Sequence, residues 1–327
     1  MKRHLYLTFS VWTFCLCVII AISLFWDLGS LHQAFNQMIF FKVRVPRTFE
    51  ALMVGAILTL TGQLFQTVLN NPLADSFTLG LASGATFGSS LAIFLGVSFL
   101  FIPIFSIIFS ITTLLLVVIM TIVLSRNFPI RVLIISGLMV GAFFNALIYI
   151  LTLIKPERTN RMLAYYFGGF ANAEMNELVY ITMVSLPIII VIYSLVTPIK
   201  LLQLGEAKSK SLGLNVQWIT FIVLLLTSIM TAIAVAFIGV IGFIGIIVPQ
   251  LIRRYYFQYS LAIQMTLNIL IGALTMLFAD VIGKMVINPV QIPASIILSL
   301  VGIPILFYIL VTQSNTCLLY TSPSPRD

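Results

Sequence analysis

The residues that could do chemistry are few, and their types suit contact and gating better than bond-making. The longest polar interval is Pro198–Trp218, PIKLLQLGEAKSKSLGLNVQW, which carries Lys200, Glu206, Lys208 and Lys210. A segment of that kind must meet water or an aqueous partner. Asp280 lies inside an apolar run, which makes it a functional candidate by default. Lys284 follows four residues later, so a local ion pair on one helix face is an equal explanation. The segment NNPLADS, Asn70–Ser76, is a sharp break, because Pro72 lacks an N–H and biases Asn71 away from the helical region. Gly137, Gly141 and Asn145 recur at four-residue steps, roughly on one helix face. They suit either a wide pathway or close helix packing. Thr59, Gln63 and Gln66 could likewise line a pathway or hydrogen-bond across helices. His4 and His32 lie apart from any Cys or carboxylate cluster, and no GxxxxGK[ST] pattern occurs. These residues form no catalytic set and no metal site, and they imply no cofactor. If the work here is driven by ATP, another chain must bind it.

The elements that carry these residues are membrane-spanning helices. The chain has 327 residues, is 61% hydrophobic and 8% charged, and has a mean hydropathy of +1.15. A soluble domain has about 25% charged residues, so this chain reads as an all-α polytopic membrane protein. Its apolar runs do not alternate with period two, which excludes a barrel. The net charge of +8 is dispersed, which argues against nucleic acid and for flanking charge at lipid surfaces. Cys15 and Cys17 lie in the first apolar run and Cys317 in the tail, which suggests neither a disulfide framework nor a metal site.

About ten spans are expected from runs near 20 residues long. They lie at 5–26, 48–69, 77–95, 104–124, 132–154, 178–196 and 219–237, then a short one after the Gly-rich stretch 239–249, then 261–282 and 294–311. Both termini then fall on one side. With that side inside, nine Lys and Arg residues are cytoplasmic and seven are outside, a weak positive-inside bias. The outer set includes Arg44, Arg47 and Lys284. The permease domain is taken as 1–313. The stretch 314–327 ends in a Ser-Pro repeat, reads as non-native or disordered, and is set aside.

Several stretches, in order, resemble the FecCD/BtuC-type permease subunit of ATP-binding-cassette importers for iron-siderophores, haem and cobalamin. They are RVPRTFEALMVGAILTLTGQLFQTVLNNPLADSFTLGLASGA (44–85), LGEAKSKSLGLN (204–215), IGFIGIIVPQLIRR (241–254), LFADVIGK (277–284) and IPASIILSLVGIPILFYIL (292–310). The resemblance implies a BtuC-like, type II importer fold and a bacterial cytoplasmic membrane. It also implies a second permease subunit (a homodimer or a paralogue), two cytoplasmic ATPase subunits and an extracellular substrate-binding protein. Leu204, Gly205, Glu206, Ala207, Leu212 and Gly213 would form the coupling helix for the ATPase, with Gly213 in the left-handed terminal position. Asn71, Pro72 and Leu73 would form the cytoplasmic gate. Arg44, Arg47 and Lys284 would dock the binding protein, with Lys284 standing where the family commonly has Arg. Gly137, Gly141, Asn145 and Gln66 would line the pathway. The family often reads Val-Pro-His where this chain has Val248, Pro249 and Gln250. The expected cargo is a ferric siderophore, with haem or cobalamin as alternatives. An ion-coupled secondary transporter is the rival from another class.

Overall fold

A computed structural model describes residues 2–29, 33–124, 130–159, 168–287 and 291–318. Among these there are helices and no strands. In chain order they are α1 (Lys2–Phe25), α2 (Ala34–Ile39), α3 (Val45–Val68), α4 (Leu81–Leu95), α5 (Ile102–Leu124), α6 (Ile130–Ile154) and α7 (Met175–Ser194). Then come α8 (Val196–Leu202), α9 (Glu206–Ser211), α10 (Val216–Ile238), α11 (Ile244–Tyr255), α12 (Leu261–Met285) and α13 (Ala294–Leu318). Among the described residues, seven helices are long and apolar enough to cross a membrane, and Leu81–Leu95 and Ala294–Tyr308 are shorter apolar ones. With the 12-residue α11 they fill the expected ten positions.

Three boundaries differ from expectation for local reasons. The polar stretch before the second span is helical: α2 runs through a π-helical turn, Phe40–Arg44, into α3. The third span starts at Leu81 instead of 77, because Asp75 and Thr78 organise a turn ahead of it. The sixth starts at Met175, where Glu174 and Glu177 form a capping box that satisfies the first amides. Helix α13 continues to Leu318, past the expected boundary at 313, and residues 319–327 of the tail lie outside the described residues.

Helix α3 is the hub. Buried residues make up 83% of its spanning stretch, against 6% for α1 at the rim. Its core side chains, among them Ala51, Val54, Ile57, Leu60 and Leu64, pack with residues of α7, α10, α11 and α12. A second cluster joins Phe65 and Leu69 to α4, α5 and α6. Lipid gives little hydrophobic drive between helices, so close approach and polar ties must hold them. Both occur along α3. Gly55 lies against the Gly272 backbone, and Gly62 lies against that of Gly245. Between them, Thr59 Oγ1 donates to the Asn268 carbonyl at 2.8 Å, and Asn268 Nδ2 donates to Gln63 Oε1 at 2.8 Å. Gln66 Nε2 donates to the Gly245 carbonyl at 3.2 Å.

These contacts fix direction. Asp280, late in α12, meets Arg47 early in α3, so the two run antiparallel. Glu177 opens α7 beside Glu50, so α7 runs parallel to α3. The segment α8–α9 that follows α7 therefore lies toward the Asn71 end of α3, and Arg47 marks the opposite end.

Replacing Gly62 with Ala pushes a methyl into the Gly245 backbone. We expect a loss of about 1–3 kcal/mol, the usual cost of overpacking, seen as a lower apparent melting temperature in detergent. Gly242→Ala, whose added methyl meets nothing within 4 Å, should shift it much less.

Candidate functional site

At the Arg47 end the cations are joined in one cluster. Arg47 is only 6% exposed, and its guanidinium clasps Asp280 with Nε to Oδ2 at 3.0 Å and Nη2 to Oδ1 at 2.8 Å. The remaining Nη1 donates to Gln291 Oε1 at 2.7 Å. Lys284 Nζ lies 3.0 Å from Asp280 Oδ2, so one carboxylate serves two cations. The local Asp280–Lys284 pair expected from the spacing is present. Arg44, half-buried, donates to the Leu24 and Trp26 carbonyls and so closes the open end of α1. The docking role expected of Arg47 concerns a partner chain; within this chain its guanidinium is taken up by Asp280 and Gln291. Its fork is already filled from within the chain, because a charge at this depth needs a partner. Lys284 stays half-buried.

One turn further along α3 is a group that spacing did not single out. Glu50 is fully buried and meets the Glu177 carboxyl, with Glu174 nearby. No amide, hydroxyl or basic group among the described residues donates to either Glu50 oxygen. The signal was present in the sequence as a lone acidic residue inside an apolar span.

The opposite end carries the Pro72 break. Helix α3 ends at Val68, and Asn70 takes a positive φ of 44°. Asn71 Oδ1 accepts from the Leu73 amide at 3.0 Å, and the Asn71 carbonyl accepts from the Ala74 amide at 3.2 Å. Leu73 is left 38% exposed. Asp75, buried, then accepts from the Phe77 and Thr78 amides at 3.0 and 2.9 Å. These bonds make the turn a rigid object and not a slack loop. Burial pushes the Asp75 carboxyl up to about 6, against the opposing pull of the Thr78 and Phe77 donors.

Near this end, α9 stands free of the bundle. Gly205 opens it with φ +88°. Its far end is a Schellman turn, in which the Leu214 amide donates to the Ser209 carbonyl at 3.1 Å and the Gly213 amide to that of Lys210 at 3.0 Å. Gly213 has φ +82°, the expected left-handed conformation. Ser209, buried, donates to the Leu201 carbonyl at 2.7 Å and anchors the helix on α8. Leu204 and Leu212 are 50% and 60% exposed, and Ala207 is exposed beside them.

The residues expected along the pathway lie in different surroundings within this chain. Gln66 is fully buried and spends its amide on the Gly245 and Ile246 carbonyls. Gly137 and Gly141 are buried against the backbone of residues 78–80, where a side chain on Gly137 would collide. They serve close packing, and Asn145 alone of that set is exposed.

The sequence profile of the FecCD transport family matches residues 6–312. The chain belongs to that family. This FecCD-family permease is similar to an iron chelatin transport system permease of Helicobacter pylori strain J99, 33% identical over 276 residues, covering 84% of this chain and 82% of the relative. It is similar to the molybdate import system permease of Haemophilus influenzae, 32% identical over 278 residues and covering 84% and 81%. Among solved structures it matches an inward-facing metal-chelate type ABC transporter with a TM-score of 0.84 at 29% identity, covering 95% of this chain and all of the other. It is a multi-pass permease of the ABC-importer type.

Two outcomes are expected. Asp280→Ala strands the Arg47 guanidinium in a dry site and should cost about 3–5 kcal/mol, measured by thermal denaturation in detergent. Asp75 holds its proton more tightly folded than unfolded, so its contribution to stability is full below about pH 4 and is lost as pH rises through about 6. The melting temperature of the wild type should fall across that window relative to Asp75→Asn, which keeps the acceptor but does not titrate.

Proposed function

We propose that this chain is the membrane permease of an ATP-driven importer that carries a ferric siderophore across a bacterial cytoplasmic membrane. The observation that carries the reading is the family match over nearly the whole chain, in a sequence with no nucleotide-binding pattern. Two permease copies, or this chain and a close paralogue, enclose the pathway between them. Two separate ATPase subunits supply the energy inside, and an extracellular binding protein delivers the cargo. Both chain termini lie in the cytoplasm.

The geometry supports a division of labour between the two ends. Helix α9 offers exposed Ala207, with exposed Leu204 and Leu212 just before and just after it, a small convex helix suited to a cleft in an ATPase subunit. Two copies of Leu73, one from each permease subunit, form an apolar constriction that excludes water and ions yet can part. Arg44 and Lys284 face carboxylates of the binding protein, while Arg47 lies beneath them as a strut. Asn145 remains the pathway-facing residue of its set. A chelate of iron is favoured over haem or cobalamin by the iron chelatin relative. The molybdate relative at similar identity makes the cargo a matter for direct measurement.

Two measurements test this. The binding protein encoded beside the chain should bind ferric siderophore tightly, and tight binding of cobalamin with no affinity for siderophores would overturn the cargo. Gly205 has a φ that Pro cannot adopt, so Gly205→Pro breaks the start of α9. That variant, and the charge reversal Glu206→Lys, should abolish uptake while membrane insertion stays normal; unchanged uptake in both would return α9 to a solvated loop.

A further inference from the structure

The Asn71–Leu73 turn is tied sideways to α11 by two glutamine amides. Pro249 lies inside α11 and has no N–H, so the Gly245 carbonyl one turn earlier lacks its helical donor. Gln66, at the end of α3, supplies the missing donor with Nε2. The next residue, Gln250, is 3% exposed, and its Nε2 donates to the Pro72 carbonyl. The Gln66 carbonyl in turn accepts from the Asn71 amide at 3.2 Å. The end of α3, the turn and α11 are thus one hydrogen-bonded unit. The segment before α11 places two residues in the left-handed region, Gly239 at φ +83° and Phe243 at φ +68°. No methyl placed on Gly242 would meet a neighbour within 4 Å.

We propose that Gln250 is a positioning residue for the gate. It fixes the Pro72 carbonyl to α11, so the Leu73 side chain moves only when α11 moves. The proposal rests on the reading of Leu73 as a gate residue. Its physical basis is that a buried amide on a carbonyl is a directional tie, whereas the apolar contacts around it let a turn slide. Gln250→Leu keeps the volume and removes the donor. Gln250→His keeps a ring N–H that can serve the same carbonyl.

The test uses the assembled transporter, with its ATPase and binding protein, after Cys15, Cys17 and Cys317 are replaced by Ser. Leu73→Cys reports the position of the turn through its rate of modification by a membrane-impermeant maleimide applied from the cytoplasmic side, without nucleotide. With Gln250 in place labelling should be slow. Gln250→Leu should speed it about fivefold, the population shift expected from one lost hydrogen bond. Gln250→His should restore the slow rate. Equal rates in the parent and Gln250→Leu overturn the proposal, and so does fast labelling in both Leu and His variants, since the donor is then not the cause. If Gln250→Leu fails to assemble, Gln250→Met serves in its place with the same expected rate. The gate reading has its own measurement: Leu73→Ala should let cargo leak through the assembled transporter without ATP. A leak there with unchanged labelling in Gln250→Leu sinks the tie alone; no leak with accelerated labelling sinks the gate alone.

Discussion

Helix α3 is buried along most of its length, and the rest of the structure follows from what that burial demands. A helix of 24 residues spans about 36 Å, enough to cross the roughly 30 Å hydrocarbon layer. Within that depth water is scarce, so a polar side chain on α3 gains by finding a partner in a neighbouring helix, and several do. Arg47 takes Asp280 and Gln291, Thr59 and Gln63 take Asn268, and Gln66 takes Gly245. Each of these partners belongs to the chain that follows residue 243. The polar seam therefore dictates which late helices flank the early one, and Gly55 and Gly62 let their backbones come close enough for the bonds to form.

The same seam connects the two ends. At one end Arg47, Asp280 and Lys284 bind the start of α3 to the end of α12. At the other, Gln66 and Gln250 bind the end of α3 and the Asn71–Leu73 turn to α11. At both ends the ties are hydrogen bonds and ion pairs between helices, laid over the side-chain packing. Helix α9 sits apart from the seam, held through Ser209, with its apolar side chains turned outward.

Much of this was legible in the sequence. Span positions followed from apolar run lengths, the break at Asn70–Ser76 from Pro72, and the end of α9 from Gly213. Each of those signals is local. The Asp280–Lys284 pair was visible because four residues make one helical turn. The Arg47–Asp280 clasp was not, because its partners are 233 residues apart and spacing carries no information at that range. The burial of Arg47 was hidden for the same reason, since a basic side chain near the end of a span looks exposed until its distant partner is known. For Gln66, Gly137 and Gly141, a periodic face fixes which residues point together, but not whether they point at a pathway or at a neighbouring helix. Glu50 stood in the sequence as an acid in an apolar span, a strong signal, but spacing could not show that Glu177 and Glu174 would be its neighbours.

The central claim is that this FecCD-family chain moves its cargo only when another chain supplies the energy. It is tested most directly in proteoliposomes, by following uptake of radiolabelled ferric siderophore presented on its binding protein. The account predicts uptake when the ATPase subunits and ATP are both present, and background levels when either is missing, whatever ion gradient is imposed. Uptake at an equal rate by the purified permease alone, driven by a proton or sodium gradient, would contradict it.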